Sequence, residues 1–342
     1  MDNTPQSILS VKDLSTSFFL RDGEVKAVDG ISFHINKGEV LALVGESGSG
    51  KTVTALSILR LIVWPPGKTI SGSVVLDGQN LFELPMSEMR NVRGSGIAMI
   101  LQEPMSSLNP SMTIGAQIME AVEINQGLKG QEAKQKAIEM LNVVRIPSPE
   151  KRFYNYPHEL SGGMKQRIMI AIALSCQPKV LIADEPTCSL DVTIQAQVLD
   201  LMKQLRKEID MTIMFITSDL GIVAEMADRV AIMYAGQLIE ITDVFTLFEN
   251  PAHPYTKGIV GSIHDMKRGG ALNIIPGDPP NLMHLPSGCK FHPRCEHRQE
   301  ICKTQEPAYT NLAGDGAHWI RCHFPLGRQQ EAEKGDQHDG NG

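Results

Sequence analysis

Residues 45–52 read Gly45-Glu46-Ser47-Gly48-Ser49-Gly50-Lys51-Thr52 and follow directly on the apolar run Val40-Leu41-Ala42-Leu43-Val44. An apolar run leading into a G-x-x-x-x-G-K-[ST] segment predicts a buried strand, a phosphate-binding loop and a helix opening at Gly50. Gly45, Gly48 and Gly50 let the backbone N–H groups around Ser47 and Ser49 turn inward on a β-phosphate, and the helix start points its positive dipole end at the same anion. Lys51 adds a full charge for the β/γ oxygens, and the Thr52 hydroxyl is left for Mg²⁺. With Val53 counted among the contacts, this stretch is read as a nucleotide site in an α/β chain.

A second glycine turn lies more than a hundred residues on, in Leu160-Ser161-Gly162-Gly163-Met164-Lys165-Gln166-Arg167, and leads into the apolar run Ile168 to Leu174. It is again a helix N-terminus stripped of side chains, open to a phosphate. Two such starts in one chain are redundant for one nucleotide. They are not redundant if two chains pair head to tail, each nucleotide lying between one chain's Lys51 loop and the other's Ser161 turn. On these motifs the chain resembles the ATP-binding-cassette family, whose signature reads LSGGQ or close variants, here carried on Ser161, Gly162, Gly163 and Gln166.

The resemblance implies further parts. Val180-Leu181-Ile182-Ala183 reads as a buried strand ending in Asp184, which would join Thr52 in the Mg²⁺ shell, and Glu185 would be the general base for the attacking water. Gln102 matches the family's glutamine loop, which contacts metal and water. Asp191, in Ser189-Leu190-Asp191, occupies the loop after the acidic strand. An adenine platform is implied on the first strands, and either Phe18 or Phe19 would serve, because neighbouring strand residues face opposite ways. One position departs from the family: where it carries a histidine that touches the γ-phosphate, this sequence has Ser218, which is shorter and has no imidazole. That departure implies a weakened or regulatory ATP site, or one in which Ser218 and a water substitute.

The composition fits two parts. The chain has 342 residues, 42% of them hydrophobic, and a net charge of −7 with no basic block, so the electrostatic footprint of a nucleic-acid binder is missing. No apolar stretch approaches the ~18 residues that span a bilayer. Met1-Asp2-Asn3-Thr4-Pro5-Gln6 lacks the features of a signal peptide. Residues 8–249 read as the cassette. Its β-rich antiparallel edge runs to about residue 90, and a helical insertion at about 103–165 has apolar periodicity in Ile114–Ile124 and Gln131–Val144. Arg229–Tyr234 and Gln237–Ile241 flank Ala235-Gly236 as a hairpin. Residues 250–327 form a small extension, and 328–342 read as a disordered tail.

Four of the six cysteines fall in the extension, at Cys289, Cys295, Cys302 and Cys322. Clustered cysteines in a cytosolic ATPase suggest metal ligation over disulfides. Their spacings, five, six and nineteen intervening residues, are not paired zinc knuckles. By chemistry alone, four thiolates suit zinc and iron–sulfur equally. The segments Asn250-Pro251-Ala252-His253-Pro254-Tyr255-Thr256 and Gly277-Asp278-Pro279-Pro280-Asn281-Leu282 are similar to the C-terminal extension of oligopeptide/dipeptide transporter ATPases. Members with this four-cysteine pattern bind a [4Fe–4S] cluster, which the resemblance transfers to these four residues, zinc being the alternative.

The expected fold is therefore an α/β P-loop cassette with an antiparallel β subdomain, an inserted helical subdomain and a four-cysteine extension. The expected function is to power a bacterial importer of di- or oligopeptides from the cytoplasmic side of the plasma membrane. Its expected partners are two permease subunits, a second cassette in a heterodimer and, through the complex, a solute-binding protein. The alternatives are a nucleotide-responsive regulator with little hydrolysis, or an importer of nickel, opines or glutathione. Cassettes that act on ribosomes or DNA usually carry two cassettes or a long coiled insertion, and this chain shows neither.

Overall fold

Val40–Val44 is buried at all five positions, which a strand tolerates only when both sheet faces are covered. In the computed structural model it is β3, near the middle of an eight-stranded sheet. Described are residues 6–102, 107–188, 190–268, 275–312, 314 and 316–327, with the side chains of 263–268 left aside. The sheet order is β11 (Tyr309–Asn311), β12 (Trp319–Arg321), β10 (Gln237–Asp243), β9 (Arg229–Tyr234), β3, β8 (Thr212–Thr217), β7 (Val180–Asp184), β6 (Ile97–Ile100). β3 pairs in parallel with β8 (Thr212–Thr217) and β9 (Arg229–Tyr234), and β7 (Val180–Asp184) in parallel with β8 and with β6 (Ile97–Ile100). Parallel pairing points β3, β7 and β8 the same way, so Gly45, Glu185 and Ser218, the residues just beyond their ends, emerge along one edge.

The antiparallel edge expected before residue 90 is a separate four-stranded sheet, in the order β2 (Gly23–Asn36), β1 (Ser7–Leu20), β4 (Gly67–Leu76), β5 (Gln79–Asn80). The inserted helices run Ile114–Gln126, Gly130–Val143 and Gly162–Ser175. Thr113 caps the first, accepting from the Ala116 N–H at 3.3 Å, and Gly127 ends it at φ +71°. Ile118, Val122, Ala137, Leu141 and Ile170 bury the facing sides into one core with β7 and β8. The hairpin at Ala235-Gly236 is present, with φ +47° and +83° at its two turn residues, the signature of a primed two-residue turn.

The extension is not a detached module. β12 (Trp319–Arg321) pairs with β10 (Gln237–Asp243), and β11 (Tyr309–Asn311) pairs with β12, so its strands continue the cassette sheet. Glu240, wholly buried, fastens this joint: its carboxylate accepts from the backbone N–H groups of Ala252 and His253 at 2.8 and 2.9 Å and contacts His318 Nε2 at 2.8 Å. The boundary expected after residue 249 falls at the end of helix Val244–Glu249. The tail expected over 328–342 lies outside the described residues.

Burial alone would push the Glu240 carboxyl up, but the bonds from His318 and the two backbone N–H groups outweigh it and hold it below the ordinary range. Burial pushes His253 down to about 4 against the nearby Glu240 charge, in keeping with its Nδ1 accepting from the Tyr255 N–H. Below pH 6.5 the unfolded chain takes up a proton at His253 that the folded chain refuses until about pH 4, and the Glu240 contribution is lost in the same direction. The joint is therefore expected to weaken as pH falls from 6.5 toward 4, by about 3 kcal/mol from His253. Limited proteolysis of the extension against pH checks this, with a shallower dependence expected for His253→Gln.

Candidate functional site: a phosphate cradle with two carboxylates

The loop after β3 has its shape imposed from outside. A Cβ on Gly45 would stand 2.2 Å from the Met233 carbonyl oxygen, and one on Gly50 2.2 Å from that of Ala27, with φ at +109°. Only glycine lets the loop pass so close to β9 and β2. Gly50 precedes helix Lys51–Ile58 with no side-chain cap, so the helix start is open to an anion. Lys51 is buried, and its Nζ donates to the carbonyls of Gly45 at 2.7 Å and Glu46 at 3.0 Å. Burial lowers its pKa, opposed by the carboxylates of Glu185, Asp184 and Glu46.

Asp184 closes β7 at 1% exposure. The Thr52 hydroxyl bonds to it, while its Oδ1 has no hydrogen-bond partner. Burial raises its pKa, and the neighbouring Glu185 charge adds to that. A buried carboxylate oxygen without a partner, beside a hydroxyl, is a donor set that fits a hard divalent cation such as Mg²⁺. Glu185 follows with φ +43°, its N–H bonded to the Ile216 carbonyl. Its Oε2 accepts from Gln102 Nε2 at 2.8 Å. Gln102 was expected at the metal; its amide nitrogen is instead on Glu185, which leaves its oxygen for a cation or water. Ser218 is exposed and lines a cavity with Gly45, Glu46 and Tyr255.

The second glycine turn opens helix Gly162–Ser175, capped by Ser161, which accepts from the Met164 N–H at 3.4 Å. A Cβ on Gly162 would meet nothing nearer than Leu190 at 3.9 Å, whereas one on Gly163 would stand 2.4 Å from Ile194. Gln166 departs from expectation. Its side chain is buried to 1% exposure within helix Gly162–Ser175, whereas Gly162 and Ser161 stand open. Asp191 caps helix Val192–Ile209, accepting from the Ile194 N–H at 3.0 Å. Phe18 and Phe19 split as strand alternation requires: Phe18 is half-buried against Gly67 and pairs with Val25, while Phe19 is 42% exposed, edge-on to Trp64.

The four extension cysteines converge on one small cavity, shared with Phe291. All are free thiols. Burial pushes the Cys289, Cys295 and Cys322 thiols up, Cys322 to about 12, and each is raised further by its neighbours. Among the described residues no three Cys, His, Asp or Glu side chains converge closely enough to hold a single metal ion. Thiols are the donors that iron–sulfur clusters use, and these four share one space without meeting at a single-ion point. The charge partner of the loop residue Glu46 was not foreseeable from sequence: it is Arg294, at 3.0 Å and 248 positions away.

Residues 28–188 match the ABC transporter family, and residues 239–302 match the oligopeptide/dipeptide transporter C-terminal region. The chain is 51% identical over 316 residues to the oligopeptide transport ATP-binding protein OppD of Bacillus subtilis, covering 92% of this chain and 88% of that protein. It is 44% identical over 328 residues to the dipeptide transport ATP-binding protein DppD of the same organism, covering 96% and 97%. Among solved structures, the ATP-binding cassette MJ0796, a dimer bound to ADP and Pi, superposes with a TM-score of 0.62 at 24% identity, over 69% of this chain and 98% of that one. The cassette cbiO1 of Clostridium perfringens, part of the transporter complex cbiONQ, gives 0.59 at 28%, over 71% and 91%.

Gly50→Ala forces both a strained φ and a backbone clash. It is expected to lower stability by about 1–3 kcal/mol and to weaken nucleotide binding at least ~tenfold. Gly48→Ala, which has open space around it and a φ of +78°, should cost about 1 kcal/mol. Thermal melts and equilibrium nucleotide titration of the two variants check the ranking.

Proposed function

The chain belongs to the ATP-binding-cassette transporter family, in its oligopeptide/dipeptide branch, and we propose that it serves there as the ATP-hydrolysing subunit of a peptide importer. The observation that carries this reading is the meeting of Lys51, Thr52, Asp184 and Glu185 beyond the ends of β3 and β7. The Gly45–Thr52 backbone and Lys51 would hold the triphosphate, and Thr52 and Asp184, with Gln102, would hold Mg²⁺. When bound, that ion neutralises charge on the β/γ oxygens. Glu185 accepts the proton of the attacking water, and the Gln102 amide orients its carboxylate. Phe18, half-buried beside Val25, is the better seated of the two adenine platforms.

Ser161, Gly162 and Gly163 present their open helix start to a nucleotide held by a second cassette. Ser218 supports a second cassette that is a different chain. A homodimer would carry the shortened switch residue in both sites, whereas a related partner with a histidine keeps one site strong. The assembly we propose has two permeases, this chain, its partner cassette on the cytoplasmic face of the membrane, and a solute-binding protein on the other side. No helix among the described residues is long and apolar enough to cross a membrane, so passage belongs to the permeases. Ser218 also favours a second reading, a regulatory cassette that binds ATP with little turnover.

Steady-state ATPase measurements on the isolated chain and on the assembled complex separate these readings. Glu185→Gln should retain ATP binding and lose turnover by about 10²–10⁴. Ser218→His should raise turnover of the isolated chain. An isolated chain that already works as fast as the complex and is indifferent to Ser218→His would refute the asymmetric pair.

The four thiols are proposed to hold a [4Fe–4S] cluster; zinc, the alternative, would require them to draw together more closely than they stand here. Cys289, Cys295, Cys302 and Cys322 supply the donors, and bound metal would reverse the upward push on their thiols. Anaerobically purified protein is expected to contain about four iron and four sulfide per chain. Stoichiometric zinc without iron would establish the alternative.

A further inference from the structure

A loop built to bind a triphosphate carries a carboxylate of its own, Glu46, whose charge opposes that of its ligand. The residue that offsets it comes from the cysteine-bearing extension. Arg294, its side chain 8% exposed, donates Nη1 to Glu46 Oε2 at 3.0 Å and Oε1 at 3.3 Å. Its Nε donates to the Pro276 carbonyl at 3.0 Å, and its guanidinium carbon stands 5.9 Å from the centre of the Tyr234 ring. The fork is thus held by three independent groups and is not a wandering surface charge. Glu46 in turn is tied to the catalytic lysine, because its backbone carbonyl accepts from Lys51 Nζ.

A second observation places the same extension at the nucleotide site. Pro279, Pro280, Asn281 and Leu282 line a cavity of about 280 Å³ together with Glu46 to Ser49 and with Val25, the cross-strand partner of Phe18. Met283 continues to the β1–β2 turn, where a Cβ on Gly23 would stand 3.4 Å from it. The segment from Pro279 to Arg294 therefore touches both the loop at Glu46 to Ser49 and the turn after the strand that bears Phe18 and Phe19.

We propose that Arg294 is a positioning residue of the nucleotide site: it cancels the Glu46 charge beside the triphosphate and holds that limb of the loop in shape, making the extension part of the ATP-binding apparatus. This rests on the ATPase reading above. Two roles are separable by sign. If Arg294 acts through the Glu46 charge, removing that charge repairs its loss; if it serves only as packing, removing Glu46 repairs nothing.

The test is equilibrium titration of the full chain with Mg-ATP, using a fluorescent ATP analogue as competitor, at low and high salt. Arg294→Met should weaken binding about tenfold, with the deficit shrinking at high salt, and Arg294→Lys should recover part of it. Glu46→Gln added to Arg294→Met should restore affinity to within about twofold of wild type. Thermal melts of the same proteins identify any variant that fails to fold, and for such a variant the lysine substitution carries the comparison. Wild-type affinity in a folded Arg294→Met protein overturns the inference, as does a double variant as weak as Arg294→Met alone. A wild type that binds no better than Lys51→Ala would instead overturn the ATPase reading itself.

Discussion

A triphosphate can be gripped by a protein backbone only where consecutive N–H groups face it without side chains between, and that requirement governs this molecule. The Gly45–Thr52 loop cannot take up such a shape alone, since nucleating one turn of backbone costs more than its own contacts return. Its shape is set by the carbonyls of Met233 and Ala27, each of which leaves no room for a methyl group on the adjoining glycine. Those carbonyls are in turn fixed by the pairing of β9 with β3 and by the β1–β2 hairpin. The cradle is a property of two sheets meeting, and the loop is the seam between them.

The same seam gathers the charges. Lys51 and Asp184 are both buried, and each is perturbed in the direction that disfavours its ionised form, with the partner charge working against that perturbation. Neither charge is well solvated, so each depends on what is brought beside it. Glu185 is different: half-exposed and hydrogen-bonded by Gln102, it stays close to solvent, as a group that must exchange a proton with water requires. Burial and exposure thus divide two adjacent carboxylates between cation binding and proton handling.

What sequence could convey was local. The strand before Gly45, the helix starts after Gly50 and Ser161 and the turn at Ala235-Gly236 are each encoded within a few residues, by an apolar run, by glycines or by positive φ. Contacts between distant segments were not legible. Nothing near Gln102 announces Glu185, and nothing near Glu46 announces Arg294. The burial of Gln166 to 1% exposure is likewise decided by what packs on its helix and not by the motif that contains it. The strands Tyr309–Asn311 and Trp319–Arg321 escaped notice because three residues are too few to show alternation.

The 248 positions between Glu46 and Arg294 also have a meaning in time. A ribosome adding about 5–20 residues per second completes the Lys51 loop roughly 10–50 s before it makes the arginine that offsets Glu46. Throughout that interval the nascent cassette carries an uncompensated carboxylate beside its phosphate cradle. With Arg294 in the positioning role proposed for it, tight grip on nucleotide would be deferred until the last quarter of the polypeptide has been translated and has docked.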